Sequence, residues 1–152
     1  MKAIDNYSLE PIRNEPRSML VNRRAATGLV VPGRVLEAQF VAAAGTLLFI
    51  THDIPFEEQL DILLVRDDAV IVDNAALWGS LTTGNFRNVS VLGPDAVCFD
   101  FFGDRPWRVR ILPRATFAMP IGFGVIGVHR PFGWRRWLIV EHAGEASANV
   151  LA

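Results

Sequence analysis

The chain has 152 residues, about half of them hydrophobic and a fifth charged, with a formal net charge of −1. This suffices for one folded domain with its own core and argues against disorder of the whole chain. The balanced charge argues against nucleic acid as a partner, and the longest uncharged runs, near 38–51 and 115–128, fall short of the roughly 18 to 20 residues of a membrane-spanning helix.

Residues 1–33 carry Pro11, Pro16, Pro32, Gly28 and Gly33 with little periodicity, which predicts an extended N-terminal arm with one short element at "RSMLVN". The first twenty residues lack the apolar core of a signal peptide. The single cysteine, Cys98, lies in the apolar run "AVCFDFF" and reads as a buried free thiol. Together these predict a cytoplasmic protein.

From Arg34 onward strands and turns dominate. "RVLEAQFVA" and "TLLFITH" flank "AAG", predicting a hairpin that turns near Gly45. In "DIPFEEQLDILLV", Asp53, Pro55, Glu57 and Glu58 suit a helix start. The stretch "LDILLVRDDAVIVD" (60–73) also aligns without a gap with "RNVSVLGPDAVCFD" (87–100) at an offset of 27 residues. Two apolar strands that turn at "RDD" and "GPD" and return through β-favouring residues read as two hairpins of a meander. The prediction is one helical turn near Pro55–Gln59 followed by a strand.

"WRVRIL" alternates, with Trp107, Val109 and Ile111 on one face and Arg108 and Arg110 on the other. "ATFAM" is a short strand and "RRWLIVEH" the last. The expected fold is all-β: a single-domain β-barrel or β-sandwich of about eight or nine mostly antiparallel strands. It spans 34–143, between the arm (1–33) and a frayed C-terminal tail (144–152).

Several motifs are weighed against this frame. "GFGVIG" (122–127) fits the dinucleotide pattern G-x-G-x-x-G, but Pro131 and Gly133 break the helix that must follow it. The loop reads as a flexible connection. "RNEPR" (Arg13 to Arg17) and "NVSVLG" (Asn88 to Gly93) resemble the two signature motifs of PilZ domains, small β-barrels that bind cyclic di-GMP. The resemblance implies arginines that clamp phosphate and guanine beside the second motif. Here the motifs stand some seventy residues apart, farther than that family spaces them. His52, His129 and His142 show no metal-ligand spacing, and neither metal nor cofactor is expected.

Charge is sorted along the chain. From Asp53 to Asp73 there are seven acids and one arginine; from Arg105 to Val140 there are seven arginines and no acid. Trp107, Phe117, Phe123, Phe132, Trp134 and Trp137 interleave with those arginines. Arginine beside aromatic rings suits anions, stacked rings and protein interfaces. The simpler alternative is that the acidic and basic segments are neighbouring strands that pair with each other.

The function expected from sequence is a non-catalytic binding or assembly module. Its contact residues are Arg108, Arg110, Arg130, Trp134, Arg135 and Arg136. The partner is a second copy of the chain, in a homo-oligomer, or an anionic small molecule. The rival is a small enzyme whose pocket uses acids near Asp53–Asp61 and His52, with a PilZ-like cyclic di-GMP binder as a lesser alternative.

Overall fold

The period-two patterns of the sequence become strands. A computed structural model describes residues 1–68, 70–80, 82–118, 125–131 and 133–144. Among them the chain is all β, with no helix. The strands are β1 (Lys2–Ala3), β2 (Tyr7–Pro11), β3 (Arg17–Asn22), β4 (Ala25–Pro32), β5 (Val35–Ala42), β6 (Gly45–Thr51) and β7 (Leu60–Arg66). There follow β8 (Val70–Leu77), β9 (Arg87–Val91), β10 (Ala96–Asp100), β11 (Trp107–Phe117), β12 (Val128–His129) and β13 (Arg135–His142).

They make three antiparallel sheets: six strands in the order β1-β5-β6-β7-β8-β12, four in the order β13-β11-β10-β9, and three in the order β2-β3-β4. No closed barrel forms among the described residues. No helix there is long and apolar enough to cross a membrane.

The six-stranded sheet is covered on both faces. Leu47, Phe49, Ile62 and Leu64 point to the four-stranded sheet and pack on Val97, Phe99, Trp107 and Val109. Leu48, Ile50, Leu63 and Val65 point the other way, onto Leu20 and Val31. This double burial explains why "LLFI" and "ILLV" are unbroken apolar runs, since a strand with two buried faces has no polar side to show.

The second cover comes from the segment expected as an extended arm. Residues 1–33 supply β1 to the edge of the six-stranded sheet and β2–β4 as a sheet of their own. Among the described residues thirteen strands are found where eight or nine were expected, and four of them lie in this segment. Polar contacts fasten this sheet. Gln39 accepts the Tyr7 N–H at 2.8 Å and donates to the Tyr7 carbonyl at 3.0 Å. Asp68 accepts from Asn22 Nδ2 at 2.7 Å and from the Tyr7 hydroxyl.

Burial, reinforced by the hydrogen bond to Asp68, pushes the Tyr7 phenol above its ordinary pKa. A proton held more tightly when folded stabilises fully below the unfolded pKa of about 10 and is lost as pH rises through the folded value. Tyr7 is the only tyrosine, so its absorbance isolates the event. The tyrosinate band should emerge at higher pH in the folded protein than in urea. Urea midpoints should fall at alkaline pH more in the native chain than in Tyr7→Phe. Coincident titration in the two states would refute this.

The turns follow their residues. Gly45 adopts φ +147°, and a Cβ there would stand 2.5 Å from the Val65 carbonyl oxygen, so the hairpin predicted near Gly45 needs glycine. Asp67 and Asp68 of "RDD" take φ of 54° and 55°, the left-handed region that Asp tolerates. The two echoed hairpins form, but in different sheets: β7–β8 belongs to the six-stranded one and β9–β10 to the four-stranded one.

The predicted helical turn near Pro55–Gln59 is absent. The Glu58 carboxylate instead accepts the N–H groups of His52, Ile54 and Gln59 at 2.6, 3.0 and 3.1 Å, tying the segment into a loop. "ATFAM" is no separate strand through Phe117, because β11 continues across a register shift between Ile111 and Thr116. Cys98 is half-buried rather than buried. Met119 and residues 122–124 of the glycine loop lie outside the described residues, as does the expected frayed tail beyond Gly144.

Candidate functional site

An edge strand leaves backbone donors and acceptors without a neighbour. β13 is such an edge, and side chains answer its needs. Asp73, in the middle of β8, has a side chain only 8% exposed. Its Oδ2 accepts the N–H groups of Trp137 at 2.7 Å and Leu138 at 2.8 Å. Its Oδ1 accepts the Asn74 N–H at 2.8 Å. Arg130 Nη1 donates to both oxygens, at 3.3 and 3.4 Å, and Nη2 donates to the Leu138 carbonyl. A buried ion pair thus joins two sheets where no ladder does, and it fills the acceptor capacity of Asp73.

Beside this pair opens a cleft of about 190 Å³, walled by Ile71, Val72 and Asn74 of β8, by Pro131 and Gly133, and by Arg135 and Arg136. Arg136 is half-buried and Arg135 exposed. Neither side chain has an ion pair or hydrogen bond among the described residues. The Arg130 pKa is lowered by burial first; Asp73 opposes that shift and the nearby charge of Arg136 adds to it. Arg130, Arg135 and Arg136 line the cleft together with Asp73, an excess of two formal positive charges among its described residues.

The same end of the β11–β13 ribbon carries an aromatic pair. Phe117 lies opposite Arg135 in the ladder and stacks on Trp134 with centroids 5.5 Å apart. The two residues are 72% and 50% exposed. Next to them the Arg66 guanidinium covers the Trp137 ring at 4.7 Å.

The six residues singled out by sequence separate into two groups. Arg130, Arg135 and Arg136 line the cleft, and Trp134 directly precedes Arg135 in the chain. Arg108 and Arg110 lie on the outer face of β11, opposite Trp107, Val109 and Ile111. They engage Glu141, at 2.7 Å from Arg108 Nη2 and 3.7 Å from Arg110 Nε. Glu141 and Arg136 stand five positions apart on β13, about 17 Å of extended chain.

Asp73, Asn74 and Gly133 were not singled out as site residues. The available signal was a carboxylate inside the apolar run "VIVDNAAL", since an acid in a buried strand needs a partner.

The acids have other uses. Asp61 holds His52 Nε2 at 2.5 Å and accepts from Gln59 at 3.1 and 3.2 Å. Asp68 anchors the three-stranded sheet. Only Asp73–Arg130 links the acidic stretch to the basic one among the described ion pairs. A second cleft of about 270 Å³ is lined by Glu57, Gln59, Trp78, Gly79 and Ser80. His129 stacks on Trp78 at 3.9 Å, and His142 lies tilted against Trp107 at 4.0 Å. The three histidines are thus dispersed, and no metal-binding cluster occurs among the described residues.

The two PilZ-like motifs do not meet. Arg13 and Arg17 sit at the β2–β3 turn of the three-stranded sheet, Arg17 paired with Glu15 at 2.5 Å. Asn88 and Ser90 lie on β9 in the four-stranded sheet, which covers the opposite face of the six-stranded one. No family model matches the chain, and no curated protein or solved structure is significantly similar to it.

Proposed function

We propose that this protein is a non-catalytic binding module that works through the end of the β11–β13 ribbon, and that its partner is anionic. The observation that carries the reading is the conjunction of Arg135 and Arg136, without ion-pair partners among the described residues, and the exposed Phe117–Trp134 stack beside them. Large aromatic residues next to arginine give a rigid, amphipathic contact surface. Planar guanidinium forks suit oxyanions. One unpaired thiol, Cys98, fits a reducing, cytoplasmic compartment.

A second copy of the chain is a weaker fit than a ligand. Its acidic stretch would have to supply the complementary charge, yet Asp61, Asp68 and Asp73 are committed within the fold. The His52–Asp61 contact favours the enzyme alternative, because a histidine oriented by a carboxylate is half of a proton-transfer apparatus. No serine or cysteine is hydrogen-bonded to that histidine among the described residues.

Retention on immobilised heparin, a polyanion, tests the reading. Reversal of Arg135 and Arg136 to Glu should abolish retention at moderate salt. The matched reversal of Arg13 and Arg24, both exposed on the three-stranded sheet, should alter it little. Equal loss in both variants would reduce the effect to net charge. Sedimentation at several salt levels is the second arm. Salt-sensitive self-association removed by the Arg135/Arg136 reversal would make the partner another copy of this chain.

A further inference from the structure

We infer that the cleft between β8 and the start of β13 is a binding site for a small phosphate monoester, held by the guanidinium forks of Arg135 and Arg136. The inference rests on the reading above and names the ligand class of the same surface.

Charge selects the class first. Among its described residues the cleft carries an excess of two formal positive charges, because Asp73 is matched by Arg130 and by three backbone N–H groups. A phosphate monoester brings about −1.5 to −2 at neutral pH and three strong acceptor oxygens. A carboxylate brings one charge and two oxygens, which leaves one guanidinium unanswered. A phosphodiester likewise brings only one charge.

Size selects next. A cleft of about 190 Å³ lies below the roughly 300 Å³ at which pockets begin to enclose drug-sized ligands. It accommodates a head group, with the remainder of the ligand projecting outward. The walls then add specificity. Arg136 is half-buried, and a charge-assisted hydrogen bond is stronger where water is partly excluded. Asn74 and Gly133 contribute further polar wall, and Ile71 and Val72 fix the width. Asp73 does not repel the anion as a bare carboxylate would, since Arg130 and backbone donors neutralise it in place.

The experiment is an amide-resolved NMR titration of the full chain at constant ionic strength, with inorganic phosphate, glycerol phosphate, dimethyl phosphate and acetate as probes. Phosphate and glycerol phosphate should produce saturable shifts centred on Asn74, Gly133, Arg135 and Arg136. Dimethyl phosphate and acetate should bind about tenfold more weakly or worse. Arg136→Lys keeps the charge and removes the fork, so it should weaken phosphate about tenfold while heparin retention persists. Arg135→Gln, at an exposed position, should also weaken phosphate and leave the fold intact.

Shifts spread evenly over the surface would overturn the inference, as would equal affinity for monoester and diester or unchanged phosphate affinity in Arg136→Lys. If those results came with heparin retention that still depends on Arg135 and Arg136, the anion-binding reading would stand and only the phosphate-monoester assignment would fall. Specific phosphate binding without heparin retention would uphold the cleft as an anion site and remove the extended ribbon-end surface.

Discussion

Replacing Asp73 with Ala should lower stability by about 3–5 kcal/mol, the usual cost of removing one partner of a buried ion pair. For a chain of this size that corresponds to a fall in Tm of roughly 10 °C or more. The loss has three sources. Arg130, whose side chain is 11% exposed, keeps a charge with no carboxylate near it. The Trp137 and Leu138 N–H groups lose their acceptor at a sheet edge, and an unsatisfied buried donor costs about 1–3 kcal/mol. The two sheets also lose their side-chain link between β8 and β13.

Asp73→Asn retains one acceptor oxygen and should fall between the native chain and Ala. Removing both charges, as Asp73→Leu with Arg130→Leu, should recover part of the loss but not all, because the β13 donors remain unanswered. Urea denaturation of the four members of that cycle measures the coupling, which should exceed about 1 kcal/mol for residues in direct contact. An Asp73→Ala protein with a native midpoint would show that β13 is held by its ladder with β11 alone. The same variant should also impair the cleft, since Asp73 positions Arg130 and the Trp137–Leu138 backbone of β13.

Trp107→Ala should cost a comparable amount, about 3–5 kcal/mol. Trp107 is fully buried. Its ring packs on His142 at 4.0 Å and edge-on to Phe102 at 5.3 Å, and its Nε1 donates to the Phe102 carbonyl at 3.1 Å. Truncation opens a cavity and orphans that carbonyl. Phe102 has little room to fill the space, since it already lies against Gly127, where a Cβ would approach its ring to 2.7 Å. Trp107→Phe should cost much less, losing the hydrogen bond and a fraction of the volume.

The contrast with Trp134 is informative. Trp134 is half exposed and outside the core, so Trp134→Ala should change stability by no more than about 0.5 kcal/mol while weakening contact with an anionic partner. Equal thermal losses for the two tryptophans would mean that Trp134 serves packing, and would remove the aromatic half of the proposed surface.

Local pattern carried the strands of the second two-thirds of the chain. The alternation of "WRVRIL" places Trp107, Val109 and Ile111 inward and Arg108 and Arg110 outward because a pleated strand turns successive side chains to opposite faces, whatever surrounds it. Gly45 and the pair Asp67–Asp68 mark their turns because left-handed backbone favours those residues wherever they occur. The clustering of Trp134, Arg135 and Arg136 followed from their adjacency.

What covers a face and what answers a charge are long-range matters. Leu20 and Val31 show no clear period in a segment rich in proline and glycine, and became core only because the second face of β6 and β7 needed a cover. The unbroken runs "LLFI" and "ILLV" held that demand without naming its source. Asp73 and Arg130 stand 57 positions apart, and the sorted charges of the chain left open which acid would meet which arginine. Glu58 could cap a helix or gather a loop, and its three backbone donors in the loop prevailed. Periodicity reports the conformation of a strand because that is set within a few residues. Arg135 and Arg136 lack an ion-pair partner among the described residues because of where distant acids are placed, and so only the tertiary structure could decide it.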